Sequence, residues 1–275
     1  MSCAKRRTGG STVESTSVEQ PSINSQTVRL TVIAPAHNEE DNVAPLVDEL
    51  HQALMDLPGG FEVVVVDDGS TDATRTRLLE AATQLPWLRV LAMTDTPPGR
   101  GNGQSAAFEA GIAQARGELI ALIDADLQND PSDLPGMVKL LEEQNADFVQ
   151  GDRSANRRDN AVRRASSWVG RFFRRMILAD TIRDTGCSLR VMKREIAERL
   201  PLEFKGMHRF IPVTARQLGY TVIETSVRHR PRVAGEAKYG IWNRALPGLI
   251  DCFAVRWMRG RRRPTSCIEV DAPDS

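Results

Sequence analysis

Four short runs of β-branched and aliphatic residues alternate with amphipathic helical patterns in the first half of the chain. The runs are Arg29–Pro35, Phe61–Asp68, Leu88–Met93 and Glu118–Asp126. Between the first two runs, one helical face carries the apolar residues Val43, Leu46, Val47, Leu50 and Leu54. Strands that alternate with helices in this way predict an α/β fold with a mostly parallel, doubly wound sheet.

Polar clusters stand at the ends of three of these predicted strands. They are His37-Asn38-Glu39, Asp67-Asp68-Gly69-Ser70 and Asp124-Ala125-Asp126. Ligands of doubly wound sheets bind beyond the carboxyl ends of the strands, so we expect the clusters to converge on one crevice. A helix is predicted over Thr71–Gln84, with Ser70 and Asp72 as capping candidates.

Composition is that of an ordinary globular protein, with 41% hydrophobic and 26% charged residues. The 36 Lys and Arg balance the 36 Asp and Glu, so the net charge indicates no partner, and none is expected among nucleic acids. The four cysteines show no paired metal spacing, which favours a reducing cytosol and buried or idle thiols. No run approaches the roughly 20 apolar residues of a membrane-spanning helix.

The two ends of the chain differ from its middle. Residues 1–27 and 264–275 are predicted to be disordered tails, and residues 28–240 to form one folded domain, with further strands at Asp147–Arg153 and Thr221–Pro231. Residues 241–263 carry aromatic side chains at helical spacing beside arginines, which is typical of a helix on a membrane surface. The alternative is that these aromatics, Trp242, Phe253 and Trp257, pack on the domain as core.

An apolar strand leads into two aspartates that are separated by one residue, Asp124 and Asp126. In an extended chain both side chains point the same way, so both can face one hard cation, with Gln128 next in line. The alternative is that these acids cap the following turn. At the end of the second strand, Asp68 is expected to be free to bind a base or ribose while Ser70 caps the helix.

Three further segments can meet anions. The Gly-rich loop within Pro97–Gly111 precedes a helix, so its backbone N–H groups can face a diphosphate, although it lacks the ending of a P-loop and a plain loop is the alternative. Eight arginines lie between Arg153 and Arg175 against one acid, and five between Arg256 and Arg263 against none. For Arg171, Arg174 and Arg175, a solvated helix face or lipid headgroup contact is the preferred interpretation.

Seven segments of the chain occur in a characteristic order and spacing. They are APAHNEEDNV, VVVVDDGSTD, GNGQSAAFEAG, IDADLQNDP, DTGCSLR, HRFIP and RPRVAGEAKYG. Through these segments the chain resembles, from Val28 to about Arg263, family 2 glycosyltransferases of the polyprenyl-phosphate type, which include dolichol-phosphate mannose synthases and bacterial undecaprenyl-phosphate sugar transferases.

This resemblance implies a GT-A fold, a Mg²⁺ or Mn²⁺ ion, and inverting transfer of a sugar from a GDP- or UDP-linked donor to a polyprenyl or dolichyl phosphate. By matching position, the residues implied to bind the nucleotide-sugar are Pro35, Asn38, Glu39, Asp67, Asp68, Asn102, Gln104 and Asp124. The implied metal ligands are Asp124, Asp126 and Gln128. The implied catalytic residues are Asp126, Asp184, Arg153 and Arg157. Arg232 and Lys238 are implied to grip the acceptor phosphate.

The sequence departs from the family pattern in three places. His37 stands where the family usually has Tyr, and Ala237 replaces a Ser that can donate to phosphate. The two carboxy-terminal transmembrane helices of many bacterial relatives have no counterpart in the 275 residues. We therefore expect a protein peripheral on the cytoplasmic face of a membrane, or one held there by an anchoring subunit. The alternatives are a family 2 enzyme with a non-lipid acceptor and a non-catalytic binder of nucleotide-sugar or lipid phosphate.

Overall fold

A computed structural model describes residues 28–97, 99–154, 173–230 and 242–263, with the backbone alone for residues 242–247. The predicted tails, 1–27 and 264–275, lie outside the described residues. So do Arg157, Arg232, Ala237 and Lys238.

A sheet of seven strands forms the centre of the described chain. The strands are β1 Leu30–Ala36, β2 Phe61–Asp67, β3 Leu88–Ala92, β4 Leu119–Leu122, β5 Phe148–Asp152, β6 Arg190–Lys193 and β7 Val222–Ser226. Their order across the sheet is β3-β2-β1-β4-β6-β5-β7. Strand β6 is antiparallel to both neighbours, and every other pairing is parallel. The mostly parallel sheet predicted from the sequence is confirmed.

Strand β1 lies at the point where the chain changes direction across the sheet. In the register, Ile33 of β1 pairs with Val64 of β2 on one side and with Leu122 of β4 on the other. The chain runs from β1 through β2 to β3 in one direction and returns to β4 on the opposite side of β1. The crevice beyond the carboxyl ends of β1 and β4 is therefore the topological switch point, where α/β sheets bind ligands.

Helices cover both faces of this sheet. They are α1 Val43–Leu54, α2 Thr74–Ala82, α3 Gln104–Ala113, α4 Leu134–Glu143, α5 over residues 173–178, α6 Arg194–Ala197, α7 Ile211–Gln217 and α8 Trp242–Arg261. Short 3₁₀ helices span Pro131–Asp133 and Met207–Phe210. Helices α1, α2 and α4 pack on one face of the sheet, and α3, α7 and α8 on the other. Because both faces are covered, β1 and β2 are almost continuously apolar.

The acidic segment after β4 differs from the sequence prediction. An extended chain was expected through Asp126, but β4 ends at Leu122, where its pairing with antiparallel β6 also ends. Ala125 and Asp126 lie in a turn, and Leu127 takes a left-handed conformation with φ of 59°. The expectation of an extended chain at this point is wrong, because the sequence pattern did not reveal β6 or the length of its pairing.

Helix α8 has both a buried and an exposed side. Cys252 and Val255 belong to the same apolar cluster as α3 and α7. Phe253 and Trp257 are 58% and 64% exposed, so these two aromatic side chains do not form part of the core. Within the described residues, no helix has the length and apolar character needed to cross a membrane.

Candidate functional site

Hydrogen bonds fasten the loop after β1 to the loop after β2. His37 Nδ1 lies 2.7 Å from the carbonyl oxygen of Asp68. The backbone N–H of Asn38 donates to Ser70 Oγ at 3.0 Å, and Asn38 Oδ1 accepts from the N–H of Thr71 at 2.8 Å. Asn38 has a φ of 56°, a left-handed conformation that asparagine adopts more readily than most residues. The two loops thus form one wall of the crevice.

Asp68, which the sequence predicts to bind a base or ribose, is hydrogen-bonded to the Gly-rich loop. Its Oδ1 accepts the N–H of Asn102 at 2.8 Å, and its Oδ2 accepts the N–H of Gly103 at 2.7 Å. The carboxylate therefore holds the Gly-rich loop in place. Gly101 has a φ of 64°, and a Cβ atom there would lie 2.6 Å from Asp68 Oδ2. Only glycine fits this close approach without displacing the carboxylate.

The helix after β2 also begins differently from the prediction. Helix α2 begins at Thr74 with Ala73 as its N-cap residue, and no side chain caps it. Asp72, one of the two capping candidates, instead lies one position before the N-cap, where its Oδ1 accepts the N–H of Thr74 at 3.0 Å. Ser70 does not cap this helix, since its hydroxyl accepts the hydrogen bond from Asn38. Asp67 is fully buried, accepts from the N–H of Ser70 at 3.0 Å and pairs with Arg75. Asp67 and Asp68 therefore shape the crevice.

The structure also shows where the other residues predicted to bind the nucleotide lie. Pro35 lies near the end of β1 and is only partly buried. The N–H of Glu39 donates to Thr74 Oγ1 at 2.8 Å, and its side chain accepts from Asn42 at 2.6 Å. Asn102 donates through its side chain to the carbonyl of Asp95 at 3.1 Å. These contacts bring segments from the ends of β1, β2 and β3 to one edge of the sheet.

The acidic pair lies at the switch point. Gln104, the first residue of α3, donates a hydrogen bond to Asp124. Burial and the neighbouring Asp126 carboxylate raise the pKa of Asp124 to about 6, although Ser188, Arg153 and Arg190 act in the opposite direction. Asp126 Oδ1 accepts the N–H of Gln128 at 3.2 Å. Asp124 and Asp126 are thus close enough to repel each other even though the chain turns between them.

This arrangement fits a cation that takes part of its coordination from a ligand. Within the described ranges, no group of three or more His, Cys, Asp or Glu side chains forms a metal cage. Mg²⁺ is typically bound by one or two carboxylates together with substrate phosphates and water, so two repelling carboxylates are a suitable donor set for it. Asp124 and Asp126 are both only partly buried.

Arg153 and Asp184 form a buried, bidentate ion pair. Arg153 Nε donates to Asp184 Oδ2 at 2.8 Å, and Arg153 Nη2 donates to Oδ1 at 3.2 Å. Burial lowers the pKa of Arg153, but the hydrogen bonds and charge of Asp184 outweigh it and raise that pKa above its ordinary value. Arg153 also contributes electrostatically at Asp124. The pair therefore lies near the acidic residues and joins two of the predicted catalytic side chains.

Arg190 was not predicted as a site residue, although it ends the DTGCSLR motif. It is almost fully buried, and its guanidinium donates to Gln150 Oε1, to the carbonyl of His208 and to the carbonyl of Thr185, at 3.0, 2.9 and 3.0 Å. Burial lowers the pKa of Arg190 to about 10. A spacing argument cannot find this residue, since its partners come from three separate parts of the chain.

Arg174 does not lie on a solvated helix face, so that interpretation is wrong for this residue. Its side chain is only 12% exposed and pairs with the buried Asp180. It also donates to the hydroxyl of Thr185 and, at 2.8 Å, to the carbonyl of Ile182. Arg175 is exposed, as that interpretation expects, and Arg171 lies outside the described residues.

Residues 227–230 are tied to the loop that follows the acidic pair. The N–H of Arg230 donates to the carbonyl of Gln128 at 2.8 Å. Its guanidinium pairs with Asp130 at 2.8 Å and with Glu49 of α1 at 2.7 Å. The segment that carries Arg232 and Lys238 follows directly in the sequence, and it lies outside the described residues.

Comparison with known proteins gives a consistent result. The model of the family described as "Glycosyl transferase family 2" matches residues 31–200. The chain is 38% identical over 247 residues to the dodecaprenyl-phosphate galacturonate synthase of Rhizobium johnstonii, covering 87% of this chain and 70% of that protein. It is 35% identical over 236 residues to the undecaprenyl-phosphate 4-deoxy-4-formamido-L-arabinose transferase of Photorhabdus laumondii, covering 85% of this chain and 70% of that protein.

A solved structure supports the fold alone. The mannosyltransferase of Pyrobaculum calidifontis, determined with GDP-mannose and Mn²⁺, superposes with a TM-score of 0.60 at 23% identity. The match covers 86% of this chain and 66% of the mannosyltransferase. The GT-A arrangement of a Rossmann-like sheet flanked by helices is therefore confirmed.

Proposed function

Since this chain belongs to glycosyltransferase family 2, of the polyprenyl-phosphate type, we propose that it transfers a sugar from a nucleotide-sugar to a polyprenyl phosphate. The observation that carries the proposal is the acidic pair, Asp124 and Asp126, at the switch point beside the Arg153–Asp184 pair. Two of the most similar relatives are named for polyprenyl-phosphate sugar transfer. We propose that the donor is linked to GDP or UDP.

The donor's nucleoside lies, on this proposal, along the wall made by the loops after β1 and β2. Pro35, Asn38 and Glu39 contact it, while Asp67 and Asp68 hold the surrounding loops rather than the ligand. Asn102 precedes α3 and Gln104 is its first residue, and the N-terminal backbone N–H groups of this helix favour the negative charge of a diphosphate. His37 binds the carbonyl of Asp68, so its ring position is set by the wall itself.

Asp124, Asp126 and Gln128 hold a divalent cation, Mg²⁺ or Mn²⁺, in this proposal. When bound, the cation supplies Lewis-acid stabilisation of the diphosphate that leaves. The Mn²⁺ bound together with GDP-mannose in the Pyrobaculum calidifontis mannosyltransferase structure supports the presence of a divalent cation.

The transfer itself needs no dedicated base. A phosphate monoester has a second pKa of about 6, so its oxygen is already ionised at neutral pH. That oxygen forms a bond to the anomeric carbon from the side opposite the donor diphosphate. The bond from the anomeric carbon to the diphosphate oxygen breaks, its electron pair leaves with the nucleoside diphosphate, and the configuration inverts.

The main task of the protein is to bring two anions together. Arg153, Arg157, Arg232 and Lys238 are the cations that we propose for this task. Arg153 is already oriented by Asp184, so it can face a phosphate without first losing side-chain entropy. The segment with Arg232 and Lys238 follows Arg230, which is fixed to the carbonyl of Gln128 beside the proposed cation ligands.

Polyprenyl phosphates present their phosphate at the surface of a bilayer, so the enzyme must approach that plane. We propose that residues 241–263 make this contact, peripherally and from the cytoplasmic side. Helix α8 exposes Ile250, Phe253 and Trp257, and its last turn and the residues after it are rich in exposed arginine. A separate anchoring subunit is a further partner to test for.

A donor screen tests this function. Purified protein, Mn²⁺ and a short polyprenyl phosphate are incubated with a panel of GDP- and UDP-sugars, and the lipids are analysed by mass spectrometry. We expect one donor to give a lipid heavier than the acceptor by one glycosyl unit. Absence of any glycosylated lipid across the panel, or release of free sugar only, would overturn the proposal.

A further inference from the structure

The loop between α5 and β6 carries Asp184, yet it has almost no regular backbone hydrogen bonding. Residues 179–189 form neither helix nor strand, and Ala179 has a φ of 53°. Asp180 and Ile182 are nevertheless buried. Buried backbone groups require partners, and here side chains supply them.

Arg174 of α5 provides a large share of these partners. Its Nε pairs with Asp180, one Nη donates to Thr185 Oγ1, and the other donates to the carbonyl of Ile182 at 2.8 Å. Asp180 in turn accepts the N–H of Ile182 through its other oxygen at 2.9 Å. The planar guanidinium therefore fixes three points of one loop at once, which a lysine ammonium does not reproduce.

The end of the loop that Arg174 holds lies next to Asp184, one of the predicted catalytic residues. Thr185 follows Asp184, and its carbonyl accepts from the buried Arg190 at 3.0 Å. Thr185 is thus held from two sides by Arg174 and Arg190. Asp184 next to it orients Arg153 through two hydrogen bonds.

We propose that Arg174 is a positioning residue, which sets the 180–185 loop and thereby the direction in which the Arg153–Asp184 pair faces the acceptor phosphate. The expected effect on acceptor kinetics rests on the proposed function, whereas the expected effect on the order of the 180–185 loop does not. It assigns Arg174 no contact with substrate.

The kinetic test compares Arg174→Ala with Arg174→Lys. Arg183→Ala is the control, because Arg183 is an exposed arginine in the same loop. We expect Arg174→Ala to lower kcat/KM for the polyprenyl phosphate at least about tenfold while leaving donor affinity within about twofold. Arg174→Lys should recover part of the loss, and Arg183→Ala should match wild type. Equal losses for donor and acceptor, or unchanged kinetics, would overturn the inference.

Hydrogen exchange provides a readout that does not depend on activity. In Arg174→Ala, peptides covering residues 180–186 should exchange faster, since the N–H groups of Ile182 and Gly186 are bonded to Asp180 and Asp184. Peptides of β1 and β2 should keep their wild-type rates. Equal acceleration of all peptides would show a general stabilising role and contradict the inference.

Two further outcomes can be distinguished from a failure of the inference. If Arg174→Ala does not fold, Thr185→Val removes only the hydroxyl contact and should show the same pattern to a smaller degree; wild-type behaviour there would contradict the inference. If wild-type protein glycosylates no lipid, the proposed function fails, and the exchange measurement still decides the role of Arg174.

Discussion

At the scale of single residues, Asp126 is the most direct test of the cation site. Asp126→Asn should lower transfer about 100-fold or more, because it removes one hard oxygen charge from the cation's ligands. It should also weaken nucleotide-sugar binding in Mn²⁺ but not in EDTA. Calorimetric titration of donor into both proteins under both conditions measures this.

Asp48→Asn is the matched control for Asp126→Asn, because Asp48 is an exposed carboxylate on α1. It should bind donor as wild type does. Equal donor affinity of wild type and Asp126→Asn in both Mn²⁺ and EDTA would remove Asp126 from the cation site.

His208 is expected to make the stability of the protein depend on pH. Its burial, together with the charges of Arg209 and Arg190, lowers the pKa of His208 to about 3 from an ordinary value of 6.5. Below pH 6.5 the unfolded chain binds a proton at this position that the folded protein does not, so stability is lost as pH falls. We expect this group to lower the free energy of unfolding by about 2 kcal/mol between pH 7 and pH 5.

Urea unfolding of wild type and His208→Asn at pH 7 and pH 5 measures this contribution. Asparagine can keep a hydrogen bond with Ser105, which lies 3.0 Å from His208 Nδ1, but it does not titrate. The variant should therefore lose less stability between the two pH values than wild type. The exposed His51→Asn serves as the control and should follow wild type. An identical pH dependence in all three proteins would refute the assignment.

Residue identity alone predicted where the polar clusters would meet, but not what each side chain does. Asp124 and Asp126 could be placed at the crevice because an apolar strand precedes them. The engagement of Asp68 could not be foreseen, since its partners at Asn102 and Gly103 lie more than thirty residues along the chain. The burial of Arg174 could not be foreseen either, because a run of arginines on a helix does not show which side chain turns inward.

At the scale of elements, strands buried on both faces were the easiest to predict. β1 and β2 are nearly continuous apolar runs and were found within one residue at each end. β6, with the sequence RVMK, is short and has a charged residue at each end, so its hydrophobic pattern does not indicate a strand. It is a strand because it fits between β4 and β5, which is a property of the assembled sheet.

Helix α8 yields a prediction of its own. We expect the protein to bind anionic vesicles at low salt and to be released at high salt, since each basic residue near an anionic leaflet contributes about 1 kcal/mol. Phe253→Ser with Trp257→Ser should weaken this binding at least about tenfold. Vesicle sedimentation measures both effects.

Point substitutions are preferable to truncation, because Cys252 and Val255 of the same helix are buried in the core. Leu79→Ser is the matched control, since Leu79 is exposed on α2, across the sheet from α8. It should bind vesicles as wild type does. If the double variant also binds like wild type, α8 is not the docking element and an anchoring subunit becomes the better explanation.

At the scale of the whole molecule, the fold brings carboxylates and a buried Arg–Asp pair together at one edge of the sheet. Carboxylates lie at the ends of β1 and β4, and the Arg153–Asp184 pair lies beyond the antiparallel β6, on β5 and the loop before β6. A donor diphosphate with its cation and an anionic acceptor both need such an arrangement. A sugar hydroxyl as acceptor would instead need a base.

The acceptor requirement is therefore the most direct test of the account. Wild-type protein with Mn²⁺ and the donor identified by screening is offered either a polyprenyl phosphate or the matching polyprenol, and the lipid products are measured by mass spectrometry. The account predicts a product one glycosyl unit heavier from the phosphate alone, and none when EDTA replaces Mn²⁺. Equal glycosylation of the polyprenol, or undiminished transfer in EDTA, would contradict it.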